Sequence, residues 1–112
     1  MQSQFRVEVA NKGEASVVSI IGELDLASSP ALEEELERLS AGNAPLVIVD
    51  LSALEFMDST GLSVLVRAHH RSEETGQRFG LVNGSQQVQR LLSLTGVAER
   101  LTLEETPELD GA

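Results

Sequence analysis

Hydrophobic residues along this chain switch between two periods, and the switches set out the elements. Phe5, Val7 and Val9 alternate with polar neighbours, which predicts a strand, and Asn11-Lys12-Gly13-Glu14 supplies a turn. Val17-Val18-Ser19-Ile20-Ile21 predicts a second strand, so the chain opens with a β-hairpin, and Gly22-Glu23-Leu24-Asp25 is expected to end that strand. Ser29-Pro30 has the form of an N-cap followed by proline at the first helical position. Leu32, Leu36 and Leu39 then recur at helical spacing, with Glu33, Glu34 and Glu35 near the positive end of the helix dipole. Ala41-Gly42-Asn43-Ala44-Pro45 stops that helix.

Leu46-Val47-Ile48-Val49-Asp50-Leu51 is a continuous apolar, β-branched run, the pattern of a strand covered on both faces. Beyond Asp58-Ser59-Thr60-Gly61 the period changes again: Leu62, Leu65, Val66 and His69 fall on one helical stripe that runs to a stop at Gly76. Asp58 is the expected N-cap and Ser59 the first helical residue, where backbone N–H groups and the helix dipole favour negative charge. Phe79 to Asn83 predicts another strand. Ser85 caps a third helix with Val88, Leu91 and Leu92 inward and Gly96 as its stop, and Ala98 to Leu103 predicts a weaker last strand. Strands alternating with helices after a hairpin indicate an α/β domain with a mixed sheet in the order β-β-α-β-α-β-α-β. The chain is expected to be a single domain over 1–112, with its core at about 5–103 and a short acidic tail over 104–112 that frays.

Composition narrows the functional classes. Eighteen acidic residues against eight basic ones give a formal net charge of −10, which repels nucleic acid and anionic headgroups and suits a partner with a basic or mixed surface. Without cysteine there are no disulfides or thiolate metal sites. Lacking an export signal or a long apolar run, the chain is expected to stay in the cytoplasm, away from membranes. Phe5, Phe56 and Phe79 are the only aromatics, too few for base-stacking platforms. Apolar residues absorbed by stripes and strands leave no exposed seam, so a monomer is expected.

Ser59 is the leading chemical candidate, yet it does not fit a nucleophile. A nucleophile elbow needs glycine two residues before the serine, where Met57 stands. His69 and His70 lie roughly 15 Å further along the same helix and cannot act as its base. The likeness of Asp58-Ser59-Thr60-Gly61 to the aspartic-protease signature fails because Thr60 intervenes before the glycine. Adjacent His69 and His70 point about 100° apart and share no ligand face, so neither a metal nor a cofactor is expected. Asp25 divides evenly between a turn or capping carboxylate and a partner contact.

At Gly22-Glu23-Leu24-Asp25 and again at Phe56-Met57-Asp58-Ser59-Thr60-Gly61-Leu62 the sequence resembles bacterial anti-sigma factor antagonists, the stand-alone STAS domains. The likeness continues in order through the Leu46 to Leu51 run, the Phe79 strand and Leu94-Thr95-Gly96. It implies a protein that is not an enzyme but a substrate and binding partner. Such proteins bind an anti-sigma factor that is also a serine kinase of the GHKL type and thereby free a sigma factor. The kinase phosphorylates the serine matching Ser59, the partners separate, and a PPM-type serine phosphatase restores the binding form. Asp25, Asp58, Thr60 and Gly61 fall in the two motifs and are the implied partner-binding residues. Family members usually end in a further amphipathic helix, for which only Thr106 to Ala112 remain here. The alternative is a STAS-like adaptor subunit of a transporter or signalling scaffold, without a kinase cycle.

Overall fold

A computed structural model describes residues 5–42, 44–82 and 84–94 in full and the backbone of 102–104. The initial hairpin pairs β1 (Arg6–Lys12) with β2 (Ala15–Leu24) antiparallel, from Lys12 opposite Ala15 to Arg6 opposite Ile21. From there α1 (Ser29–Ala41) leads to β3 (Leu46–Asp50), which lies parallel to the first half of β2 with Val17 beside Ile48. A short strand, β4 (Leu54–Met57), precedes α2 (Ser59–Thr75), and β5 (Arg78–Val82), α3 (Gln86–Leu94) and β6 (Thr102–Glu104) complete the order. The main sheet runs β1-β2-β3-β5-β6, and β4 pairs with β2 off that path.

This is the expected α/β domain with a mixed sheet, with β4 as an added strand. Ser52-Ala53-Leu54-Glu55-Phe56-Met57 carries no period-two pattern: Leu54 and Met57 are buried while Glu55 and Phe56 are exposed. Pairing with β2, not amphipathicity, makes it a strand. The second strand also runs further than expected, through Leu24, because β4 gives its last residues a partner. The pairing shifts register between Gly22 and Glu23, and Gly22 sits at φ 100, a backbone angle that a side chain would strain. That bulge lets one strand serve β3 with its first half and β4 with its end.

Alternation along the strands sorts the apolar residues to two faces. Val18 and Ile20 of β2, Val47 and Val49 of β3, and Phe79 and Leu81 of β5 meet Leu32, Leu36 and Leu39 of α1 and Leu62, Leu65 and Ala68 of α2 in the main core. Val88 and Leu92 bring α3 into the same core. Ala15, Val17, Ile48 and Val82 form a smaller cluster on the opposite face of the sheet. Across the two long helices, Arg67 of α2 donates from Nε and an Nη to the two carboxylate oxygens of Glu33 on α1, both at 3.1 Å. Exposed as it is, that bidentate pair contributes at most about 1 kcal/mol beside the core.

Several boundaries are corrected by one residue or more. Ser28, not Ser29, is the N-cap of α1, with Pro30 in the first turn. Ser29 is instead buried, its hydroxyl donating to the Asp25 carbonyl at 2.6 Å. Gly76 closes α2 in the left-handed conformation, as expected. His69 is half-buried with its ring 6.1 Å from that of Phe79, and His70 is exposed. The expected stop at Gly96, the start of the last strand at 98–101 and the acidic tail from residue 105 on lie outside the described residues, whereas Glu104, expected in the tail, ends β6. Among the described residues, no helix is long and apolar enough to cross a membrane, and no acidic or histidine cluster could hold a metal.

Leu65 is fully buried between α2 and the sheet. Leu65→Ala is expected to lower unfolding free energy by about 2–5 kcal/mol, measured by urea denaturation; a loss below 1 kcal/mol would contradict its central place in the core.

Candidate partner-binding site

The tetrapeptide at the start of α2 folds as its residue types dictate. Asp58 is extended at φ −105 and ψ −175, and its carboxylate accepts the Gly61 N–H at 3.0 Å, closing an N-cap. Its carbonyl accepts the Leu62 N–H at 3.0 Å, the first bond of the helix. Ser59 follows as the first helical residue and is exposed, whereas Thr60 is half-buried and Gly61 is buried. Ser63, one turn on, donates its hydroxyl to the Ser59 carbonyl at 3.0 Å, so the Ser59 backbone is held while its side chain stays open to solvent.

Gly61 is required for close approach. A Cβ at this position would lie 2.6 Å from Leu24 Cγ and 3.0 Å from the Leu24 carbonyl oxygen. The helix start therefore rests directly on the end of β2, an approach that only glycine permits. Packing thus accounts for Gly61, which was expected among the partner-binding residues and is itself buried. Asp58 likewise has a structural task as the cap, with its carboxylate half-buried.

Asp25 is brought to the same edge by the strand pairing. Leu24 stands opposite Met57, and the Asp58 N–H donates to the Leu24 carbonyl at 3.1 Å. Asp25 and Ser59 each lie one residue beyond that junction. One carboxylate oxygen of Asp25 accepts the N–H groups of Ala27 and Ser28, both at 3.1 Å, which builds the turn into α1. Its N–H donates to the Ser28 hydroxyl at 2.9 Å, and that hydroxyl donates to the Glu23 carbonyl at 2.8 Å. The turn role is therefore real, and it occupies one oxygen: the other carries no hydrogen bond among the described residues.

Two apolar side chains that sequence reasoning passed over flank these polar groups. Leu26, in the turn beside Asp25, is 73% exposed, and Phe56, on β4 two residues before Asp58, is 40% exposed. Leu94 at the far end of α3 is exposed as well. The signal for Leu26 was a lone leucine inside a turn otherwise built of Asp, Ala and Ser. Charge adds to the picture, because Asp25 and Asp58 flank the Leu24–Met57 junction that Ser59 follows, while the basic residues nearest it along its own helix, Arg67 and Arg71, lie two or more helical turns away. No titratable set suited to acid–base chemistry gathers around the serine. What remains is an exposed hydroxyl at a capped helix start, on the sheet edge where Asp25 also follows its strand, with Leu26 and Phe56 exposed nearby in the chain.

Residues 6–109 match the STAS domain family. The anti-sigma-F factor antagonist RsfB of Mycobacterium tuberculosis strain H37Rv is 37% identical over 102 residues, covering 89% of this chain and 81% of the relative. The anti-sigma-B factor antagonist of Bacillus subtilis strain 168 is 33% identical over 104 residues, covering 93% and 94%. The crystal structure of an anti-sigma factor antagonist from Mycobacterium paratuberculosis superimposes with a TM-score of 0.85 at 32% identity, covering 92% of this chain and 87% of that one.

Gly61→Ala is expected to destabilise the chain by about 1–3 kcal/mol, because Leu24 must shift to admit the methyl; an unchanged thermal midpoint would contradict the close contact. Asp25→Asn keeps an oxygen for the Ala27 and Ser28 N–H groups and is expected to cost less than about 1 kcal/mol. A larger loss by the same measurement would mean that the carboxylate charge is itself structural.

Proposed function

The chain belongs to the STAS domain family, and on that premise we propose that it is an anti-sigma factor antagonist switched by phosphorylation of Ser59. It acts as a regulatory binding protein and not as an enzyme, in keeping with its named relatives. In this cycle the unmodified chain binds an anti-sigma factor that is also a GHKL-type serine kinase, which releases its sigma factor. The kinase transfers one phosphate to Ser59 and the complex separates. A PPM-type serine phosphatase removes the phosphate and restores binding. All of this takes place in the cytoplasm, with the chain as a monomer between partners.

The observation that carries this proposal is the state of Ser59: an exposed primary hydroxyl at the first position of a capped helix, with the neighbouring Asp58 carboxylate engaged as the cap and both histidines about three turns further along α2. A serine so placed cannot activate itself, but a kinase supplies base, nucleotide and Mg2+ and needs only a hydroxyl that can align for in-line attack. Thr60 is half-buried and β-branched, which favours Ser59 as the acceptor.

Phosphate adds about −1.5 to −2 charge. At this helix start the dipole favours an anion, so the fold tolerates the modification. The nearby Asp58 and Asp25 carboxylates do not compensate it. Binding a partner over the site would then require desolvating a dianion within an already acidic rim, at a cost of several kcal/mol. The switch therefore acts on the interface and leaves the domain intact. A chain of net charge −10 also suits a partner whose docking surface is basic. Asp25, through its unpaired oxygen, and the exposed Leu26 and Phe56 are the contacts we assign to that partner, with Asp58 and Gly61 acting through the helix start and Thr60 at its margin.

Ser59→Ala is expected to bind the kinase persistently and to accept no phosphate, while Thr60→Ala still accepts one and Ser59→Asp binds poorly. Intact-mass measurement after incubation with kinase and ATP, together with calorimetric titration, reads both properties. An adaptor without a kinase cycle would leave the mass of the wild type unchanged and its binding indifferent to Ser59 replacement. Leu26→Ala and Phe56→Ala are each expected to weaken binding by about 1–2 kcal/mol with near wild-type stability; titrations that leave both affinities unchanged would remove the apolar flanks from the interface.

A further inference from the structure

We infer that Gln87, at the start of α3, is a positioning residue that fixes the direction of the Ser59 hydroxyl by completing the free edge of β4. The inference rests on the phosphorylation cycle proposed above for its functional consequence, and on geometry for its structural part.

Successive residues of a strand aim their backbone polar groups to opposite edges. In β4, Phe56 pairs with Glu23 and the Asp58 N–H reaches the Leu24 carbonyl, so these face β2. Met57 therefore aims its N–H and C=O the other way, where no strand lies among the described residues. Gln87 fills that place: its Oε1 accepts the Met57 N–H at 3.0 Å and its Nε2 donates to the Met57 carbonyl at 3.1 Å. A carboxamide offers acceptor and donor in one plane, as a peptide group does, and here it replaces a neighbouring strand at a single residue.

The clamp is well founded on the helix side and expendable on the core side. Val88, the next residue, and Leu92, a little over one turn on, are buried in the main core, which holds the Gln87 backbone in place. The Gln87 residue itself is exposed and belongs to neither apolar cluster. It makes no contact with Ser59, and its effect must pass along the chain. Met57 is held from one side by Gln87, Asp58 from the other by Leu24, and Ser59 follows at once. Without Gln87 the Met57 peptide groups turn to water and the extended Asp58 backbone gains freedom, so the cap and the serine after it lose their fixed direction. In-line phosphoryl transfer is sensitive to such freedom, since a displacement of about 1 Å can cost up to about 100-fold in rate.

Gln87→Ala removes both bonds, Gln87→Glu keeps an acceptor for the Met57 N–H but cannot donate to the Met57 carbonyl, and Gln89→Ala is the control. Gln89 is on the same helix and donates to the Gly84 carbonyl at 2.8 Å without reaching β4. Amide hydrogen exchange by NMR on the chain alone should show the Met57 N–H exchanging about tenfold faster in Gln87→Ala, largely protected in Gln87→Glu, and unchanged in Gln89→Ala. Steady-state phosphorylation, by the anti-sigma kinase found to modify the wild type, should show kcat about tenfold lower in Gln87→Ala with KM altered by less than roughly twofold. Gln89→Ala should match the wild type. Wild-type exchange at Met57 in Gln87→Ala overturns the clamp, and a rise in KM alone makes Gln87 a docking contact. If no kinase modifies the wild type, the cycle proposed above fails and takes the consequence for Ser59 with it, while Met57 exchange still decides the structural part.

Discussion

The pairing of the end of β2 with β4 is the constraint on which the site depends. Leu24 faces Met57 in register, accepts the Asp58 N–H, and carries the Gly61 backbone against its own side chain. Those three contacts join two segments more than thirty residues apart and set Asp25 and Ser59 as the next residues out on each side. A change in any of them moves the turn into α1 and the start of α2 together. The bulge at Gly22 is what makes the arrangement possible, because a straight continuation of β2 would stay in register with β3.

This geometry separates folding from signalling. The residues that hold the helix start, Asp58 and Gly61, direct their interactions inward to the backbone and to Leu24. The groups assigned to a partner in the proposed cycle, Ser59, the second Asp25 oxygen, Leu26 and Phe56, include three exposed side chains that the core does not use. In that cycle, phosphate is added where charge is tolerated by the helix and opposed by the interface. Under the same proposal the serine needs no activation of its own: the kinase supplies the chemistry, and the chain contributes position.

Much of this was legible in the sequence, for physical reasons that differ by element. The Leu46 to Leu51 run, the α2 stripe and the Asp58 cap each follow from short-range rules, and the structure carries them within a residue or two. What escaped depends on long-range partners. β4 has no period of its own and exists because β2 extends to meet it; Ser28 replaces Ser29 as a cap because Asp25 captures the Ser29 hydroxyl. Gln87 looks like any solvated helix residue until Met57 is found opposite its amide. Exposure of Phe56 was likewise invisible, since a strand without a period of its own gives no sign of which face each residue takes; only Leu26, alone in a polar turn, carried a signal.

The most direct test of the account is amide hydrogen exchange of the chain, free and bound to its anti-sigma partner, before and after phosphorylation. Protection on binding should fall on Asp25 to Ser28 and on Phe56 to Ser63 and should vanish once Ser59 carries phosphate, with exchange in β2 and β3 unaltered. Protection concentrated instead at the opposite end of the sheet, around Gly42 to Leu46 and Thr75 to Arg78, or binding-induced protection that survives phosphorylation, would contradict it.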